Sequence, residues 1–137
     1  MTRDDLIEMA LLRLKDARVL LSEGNYSGAY YLAGYVIECG LKACIAKKTI
    51  QYEFPNLQTV RKSHTHNLET LVIVSGLKSK LLDRIKMNPV FGNNWAIVID
   101  WTEESRYEQF THKNAIDIIS AIIDKEHGVL EWLKLFW

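Results

Sequence analysis

The chain has 137 residues, long enough for one hydrophobic core and short for two. Hydrophobic residues make up 48% and charged residues 25%, a folded rather than a disordered composition. Lysine plus arginine number 17 and aspartate plus glutamate 17, so the zero net charge argues against a chain that is basic all over and binds polyanions. The zero is an average. Residues 1–41 carry net −2, residues 42–86 net +6 and residues 87–137 net −4, which leaves the middle of the chain strongly basic. Such a segment either attracts phosphate or is a set of solvated helix faces paired with acidic neighbours.

The first 20 residues are charged throughout, with no apolar signal region. The uncharged stretches 24–37 and 87–99 are too short for a membrane span, so a soluble, cytoplasmic protein without membrane contact is expected. Cys39 and Cys44 stand five apart in one helical stretch, a poor spacing for a bridge. They read as buried small hydrophobes in a reducing compartment.

In chain order, a first helix is expected over about residues 4–23, with Leu6, Ala10, Leu14, Ala17 and Leu21 as its stripe. Asp4, Asp5 and Glu8 suit its start, and Gly24-Asn25 ends it. A second helix follows over about 26–48. It is apolar nearly all round, and Gly28, Gly34 and Gly40 point to close approach by other helices. Residues 49–65, with Pro55, read as a long irregular connection. Short helices are expected over about 66–75 and 77–86. Residues 95–101 alternate like a strand but have no partner strand, and read as a short buried helix. A last helix is expected over about 112–136, with Ile116, Ile119, Leu130 and Leu133 inward. The fold class is all-α: one domain over residues 1–137, an up-and-down bundle of four main helices with one or two short extra ones.

Three constellations could carry chemistry. Arg106 precedes His112 by six positions, and Thr111 is placed to cap a helix starting at His112. An arginine can hold a phosphate bidentately, and a histidine can move the proton when a ribose hydroxyl attacks, without metal or other cofactor. The plainer reading is a surface ion pair of Arg106 with Glu103 or Glu104 beside an exposed histidine. Glu38 and Lys42 form a favourable i,i+4 pair inside the apolar second helix. A carboxylate there either positions an arginine or makes a structural link to a buried polar group. Residues 61–66, Arg-Lys-Ser-His-Thr-His, either bind phosphate or, with Thr65 or Asn67 as cap, open the third helix. Two histidines without further ligands make no metal site. Tyr31, Tyr35 and Trp101 could line a small pocket between helices.

The ordered set Ala17-Arg18 to Leu21, Gly24-Asn25-Tyr26, Ala29-Tyr30-Tyr31-Leu32-Ala33-Gly34, Glu38, Leu41-Lys42-Ala43, His66-Asn67-Leu68 and Leu71 resembles the HEPN superfamily. Asn94-Trp95, Trp101, Ser105-Arg106-Tyr107 and Trp132-Leu133 extend the resemblance over nearly the whole chain. It implies a helical domain that forms homodimers and binds RNA or nucleotide. It also implies, for some members, metal-independent endoribonuclease activity of toxin–antitoxin or defence type. The motif of those members is an arginine, four to six residues, then a histidine, and Arg106 and His112 fit it with five between. In dimeric members the two motifs face one shared cleft, where Glu38, Lys42 and Tyr107 would serve binding. Tyr107 departs from the polar residue that usually follows the catalytic arginine. The alternative is a non-catalytic dimeric module that partners a nucleotidyltransferase through exposed Trp132, Phe136 and Trp137.

Overall fold

The computed structural model describes residues 1–51 and 57–137, without the side chains of Ile50 and Gln51. Among these residues all regular structure is helical: α1 (Arg3–Ser22), α2 (Tyr26–Gln51), α3 (Leu57–Ser63), α4 (Leu68–Val74), α5 (Lys78–Met87), α6 (Pro89–Ile99), the 3-10 turn η1 (Glu103–Tyr107), α7 (His112–Ile123) and α8 (Val129–Leu133). No helix among the described residues is long and apolar enough to cross a membrane.

α1 starts on a capping box, in which Thr2 Oγ1 accepts from the Asp5 N–H and the Asp5 carboxylate accepts from the Thr2 N–H. Those bonds hold the Asp5 carboxyl below its ordinary pKa. At the other end Gly24 takes φ +79°. Its N–H donates to the Leu21 carbonyl and the Asn25 N–H to the Leu20 carbonyl, a reversal that only glycine makes without strain. The chain returns as α2, and Ala10 and Ala17, fully buried, let the two helices lie close.

α2 is the central element, as its all-round apolar pattern requires. α1, α4, η1, α7 and α8 all pack on it, and α6 bridges α7 to α5. Gly34 marks the closest approach: a Cβ there would lie 1.9 Å from Trp101 Cε2. The Trp101 indole N–H donates to the Tyr31 carbonyl at 3.1 Å, which locks the segment after α6 onto α2. Cys39 and Cys44 are buried and free, and burial pushes each thiol up to about 11.

Several boundaries differ from expectation. The expected irregular connection is partly helical: α2 runs on to Gln51, and α3 occupies 57–63. α3 buries no residue, so it has no apolar stripe to announce it, while Pro55 lies outside the described residues. The ambiguous segment 95–101 is helical through Ile99, in a helix that starts earlier, on the Asn88 cap and Pro89. The expected last helix is broken. The Asp124 carboxylate accepts from the N–H groups of Glu126 and His127, and the chain turns there before α8 restarts at Val129. Ile116, expected inward, is 37% exposed, because Ala115, Ile118, Ile119 and Ile122 form the buried face of α7.

The terminal aromatics are corrected too. Trp132 is 5% exposed and packs on Phe91 and Phe136. Lys80 covers the Phe136 ring, and Trp137 packs against the core. They close the bundle rather than offer a docking surface.

Candidate functional site

Two groups of side chains converge on α2. The inner one is built around Glu38, whose side chain is 5% exposed. Its Oε1 lies 2.8 Å from His66 Nδ1, and its Oε2 lies 3.5 Å from Lys42 Nζ. The far ring nitrogen of His66, Nε2, lies 2.8 Å from Glu103 Oε2. The imidazole therefore joins α2, the entry to α4 and the first residue of η1. A neutral ring can donate to one carboxylate only, the imidazolium to both.

Local structure fixes His66 in this place. Asn67 caps α4 by accepting from the Thr70 N–H, and Thr65 Oγ1 accepts from the Asn67 N–H. His66 also meets the Tyr35 ring edge-on at 6.0 Å between centroids, and Tyr35 meets Trp101 at 5.1 Å. The Tyr35 and Tyr31 hydroxyls are 3.0 Å apart. Burial first, then the Tyr31 hydroxyl and the Glu38 and Glu103 charges, raise the Tyr35 pKa, so its phenol stays protonated. Beside this group lies a cleft of about 430 Å³, lined among others by His64, His66, Trp101 and the carboxylates Glu69, Glu103 and Glu104. Among the described residues no lysine or arginine lines it, which makes it a poor phosphate site.

The outer group is the segment from Arg106 to His112, which runs back along the first turns of α2. The Arg106 guanidinium lies 4.8 Å from the Tyr107 ring centroid. The Tyr107 phenol above all, with the Tyr31 hydroxyl and the Glu103 carboxylate, raises the pKa of Arg106. Midway, Phe110 stacks on Tyr30 at 3.8 Å, and its N–H donates to Ser27 Oγ at 2.9 Å. At the end the His112 ring lies 4.8 Å from that of Tyr26. His112 is the first residue of α7, behind a capping box of Thr111 and Asn114. The segment is thus pinned at Phe110 and at His112, while Arg106, Tyr107 and His112 are all exposed. A second cleft, of about 410 Å³, opens beside it between residues 24–28 and Gln109-Phe110.

The predicted residues therefore fall into different places. Arg106, Tyr107 and His112 share the outer edge. Glu38 and Lys42 form their expected ion pair in the inner group, and Glu38 also makes the link to a second polar group, His66. Sequence reading missed the bridge to Glu103, because residues 38, 66 and 103 belong to separate elements with no shared local pattern. Of the three expected pocket residues Trp101 lines the inner cleft, while Tyr31 and Tyr35 are engaged with each other and with their neighbours.

Several cations of the basic middle segment are engaged elsewhere. Lys47 donates to the Trp137 carbonyl, Lys78 pairs with Glu69, and Arg84 lies on Phe91 and donates to the Glu126 carbonyl. Lys47 and Arg84 thus serve the end of the bundle where α8 closes the fold, and Lys78 holds a carboxylate of the inner cleft.

No curated protein and no solved structure matches the chain. A family model described as the HEPN domain matches residues 4–135, and the chain belongs to the HEPN family.

Proposed function

We propose that this domain binds RNA or a nucleotide at the Arg106–His112 edge. Membership of the HEPN family supports a nucleotide- or RNA-related function. One observation carries the choice of place: an exposed arginine over the 73% exposed Tyr107 ring and an exposed histidine on Tyr26 belong to one segment that Phe110 fixes on Tyr30. Guanidinium and helix start favour a phosphate, and an exposed phenol offers a face on which a base can stack. Few cations stand there, so the site suits one or two phosphates rather than a long polyanion track.

The finer reading is a metal-independent endoribonuclease of toxin or defence type. Arg106 holds the scissile phosphate, and His112 takes the proton of the attacking 2′-hydroxyl or gives one to the leaving oxygen. In this reading Glu38 does not touch the RNA. It holds His66, and through it Glu103, at the root of η1, which sets where Arg106 stands. The second reading is a non-catalytic module that partners a nucleotidyltransferase. The partners already held by Lys42, Lys47, Lys78 and Arg84 favour it over a strong RNA binder.

The test is incubation with single-stranded RNA and with nucleotides, without metal, beside Arg106→Ala and His112→Ala. Arg106→Ala is expected to abolish binding, and His112→Ala to abolish cleavage while retaining binding. Cleavage that survives both substitutions overturns the site. Binding should fall with salt at a log–log slope of about −1, as for one or two phosphate contacts on a single strand. A nucleotidyltransferase captured by protein that binds no RNA would establish the second reading.

A further inference from the structure

The cleft between residues 24–28 and Gln109-Phe110 differs in chemistry from the inner one. Among the described residues no charged side chain lines it, whereas carboxylates line the inner cleft. It offers a phosphate no cation and suits an uncharged, flat group. One wall is Tyr26. A Cβ at Gly24 would lie 3.9 Å from the Tyr26 hydroxyl, so the phenol folds back over the turn, while its ring meets that of His112 at 4.8 Å. A group that enters the cleft therefore lies next to the one that His112 faces.

Two side-chain amides stand on its two walls. Asn25 and Gln109 are exposed, and neither amide makes a hydrogen bond among the described residues. Both stand on fixed backbone. The Asn25 N–H donates to the Leu20 carbonyl at 2.8 Å, and the Asn25 carbonyl accepts from the Ala29 N–H at 3.0 Å. Gln109 directly precedes Phe110, whose N–H and ring are both engaged on α2. An amide sets one donor beside one acceptor, and a base edge with the complementary pair meets it bidentately. Adenine alone offers such a pair on both its Watson–Crick and its Hoogsteen edge, N6 with N1 and N6 with N7. Guanine has two acceptors on the Hoogsteen edge, and the pyrimidines have a single polar group there. Two amides on facing walls therefore match adenine better than any other base.

We propose that this cleft holds an adenine base next to the phosphate at Arg106 and His112, read by the Asn25 and Gln109 amides and packed against Tyr26. The proposal rests on the reading of the Arg106–His112 edge as an RNA or nucleotide site, and adds a base preference to it. The base on the Tyr107 side only stacks, so the preference is confined to one position.

The test uses the full chain and fluorescence anisotropy with labelled 2′-O-methyl oligouridylates, in which no 2′-hydroxyl can attack, carrying one U, A, G or C at an internal position. The oligomer with A is expected to bind at least about fivefold tighter than the all-U one. Gln109→Glu and Asn25→Asp keep the side-chain shape but lose the donor. Each is expected to lower that ratio, and the two together to abolish it. The added charge weakens every oligomer alike, so the ratio isolates the base. Circular dichroism checks that the variants remain helical, and Gln109→Glu alone carries the test if Asn25→Asp does not fold. AMP is expected to compete and UMP is not, and the affinity of AMP beside that of the oligomer tells a free nucleotide from a strand. Equal affinity for the four oligomers, preference for another base, or a preference for A unchanged in the variants would overturn the inference and leave the Arg106–His112 edge standing. Failure of every oligomer and of AMP to bind would overturn both.

Discussion

The inner and outer groups on α2 use similar residue types to opposite ends. Around Glu38 every charge has a partner, and both ring nitrogens of His66 are engaged. At the outer edge the backbone is pinned while the guanidinium and the second imidazole are open to solvent. A satisfied buried network contributes rigidity and has little capacity left for a ligand. An exposed pair on a fixed backbone keeps that capacity. Histidine and a charged neighbour are therefore poor guides to a site by themselves, and what distinguishes the two places is unspent hydrogen bonding.

The strongest way to break the inner group is through its roof. Gly34→Ala drives a methyl into the Trp101 indole, where neither the α2 backbone nor the locked ring can yield. It should cost about 3 kcal/mol or more, or prevent folding, as read by urea denaturation. Next, His66→Ala leaves Glu38 buried with only Lys42 and is expected to cost about 2–3 kcal/mol. By contrast, Arg106→Ala should leave the denaturation midpoint where it is while RNA binding disappears. Equal stability losses at both places would erase the distinction drawn between them.

Smaller effects concern pH. Cys39 and Cys44 are raised to about 11 in the fold, from an ordinary 9.0. The fold favours the neutral thiols, so their contribution is complete below about 9 and is lost as pH rises from there to about 11. Replacing both with alanine should flatten that alkaline loss in a stability–pH profile. The smallest effect is at the break between α7 and α8. The His127 N–H, then that of Glu126, hold the Asp124 carboxyl below its ordinary pKa of 3.8. Its contribution is present above that value and is lost as pH falls below it. Asp124→Asn should remove this acid dependence without changing the neutral fold.

Much of the fold was legible in the sequence. The stripe of α1, the Gly24 reversal and the all-round apolar α2 each follow from local spacing. The break after Ile123 was not legible, because Asp124 lies on the polar face that a continuous helix would also show. For the site, residue type and spacing singled out Arg106 and His112, and only the family pattern set them above Arg61 and His66, which stand at a similar spacing. The bridge between Glu38 and Glu103 arises only when α2, α4 and η1 pack, and the tyrosines of α2 read equally well as core.

The attachment of Phe110 and His112 makes α2 a ruler. Phe110 stacks on Tyr30 and His112 rests on Tyr26, four residues apart, a rise of about 6 Å along the helix. The pitch of α2 sets the span between the two groups, and the linker carries only slack. One residue added or removed near Glu108, ahead of the Phe110 anchor, would alter the outward bulge and leave the span unchanged. The register of Phe110 and His112 on α2 is then indifferent to the length of chain that leads into it.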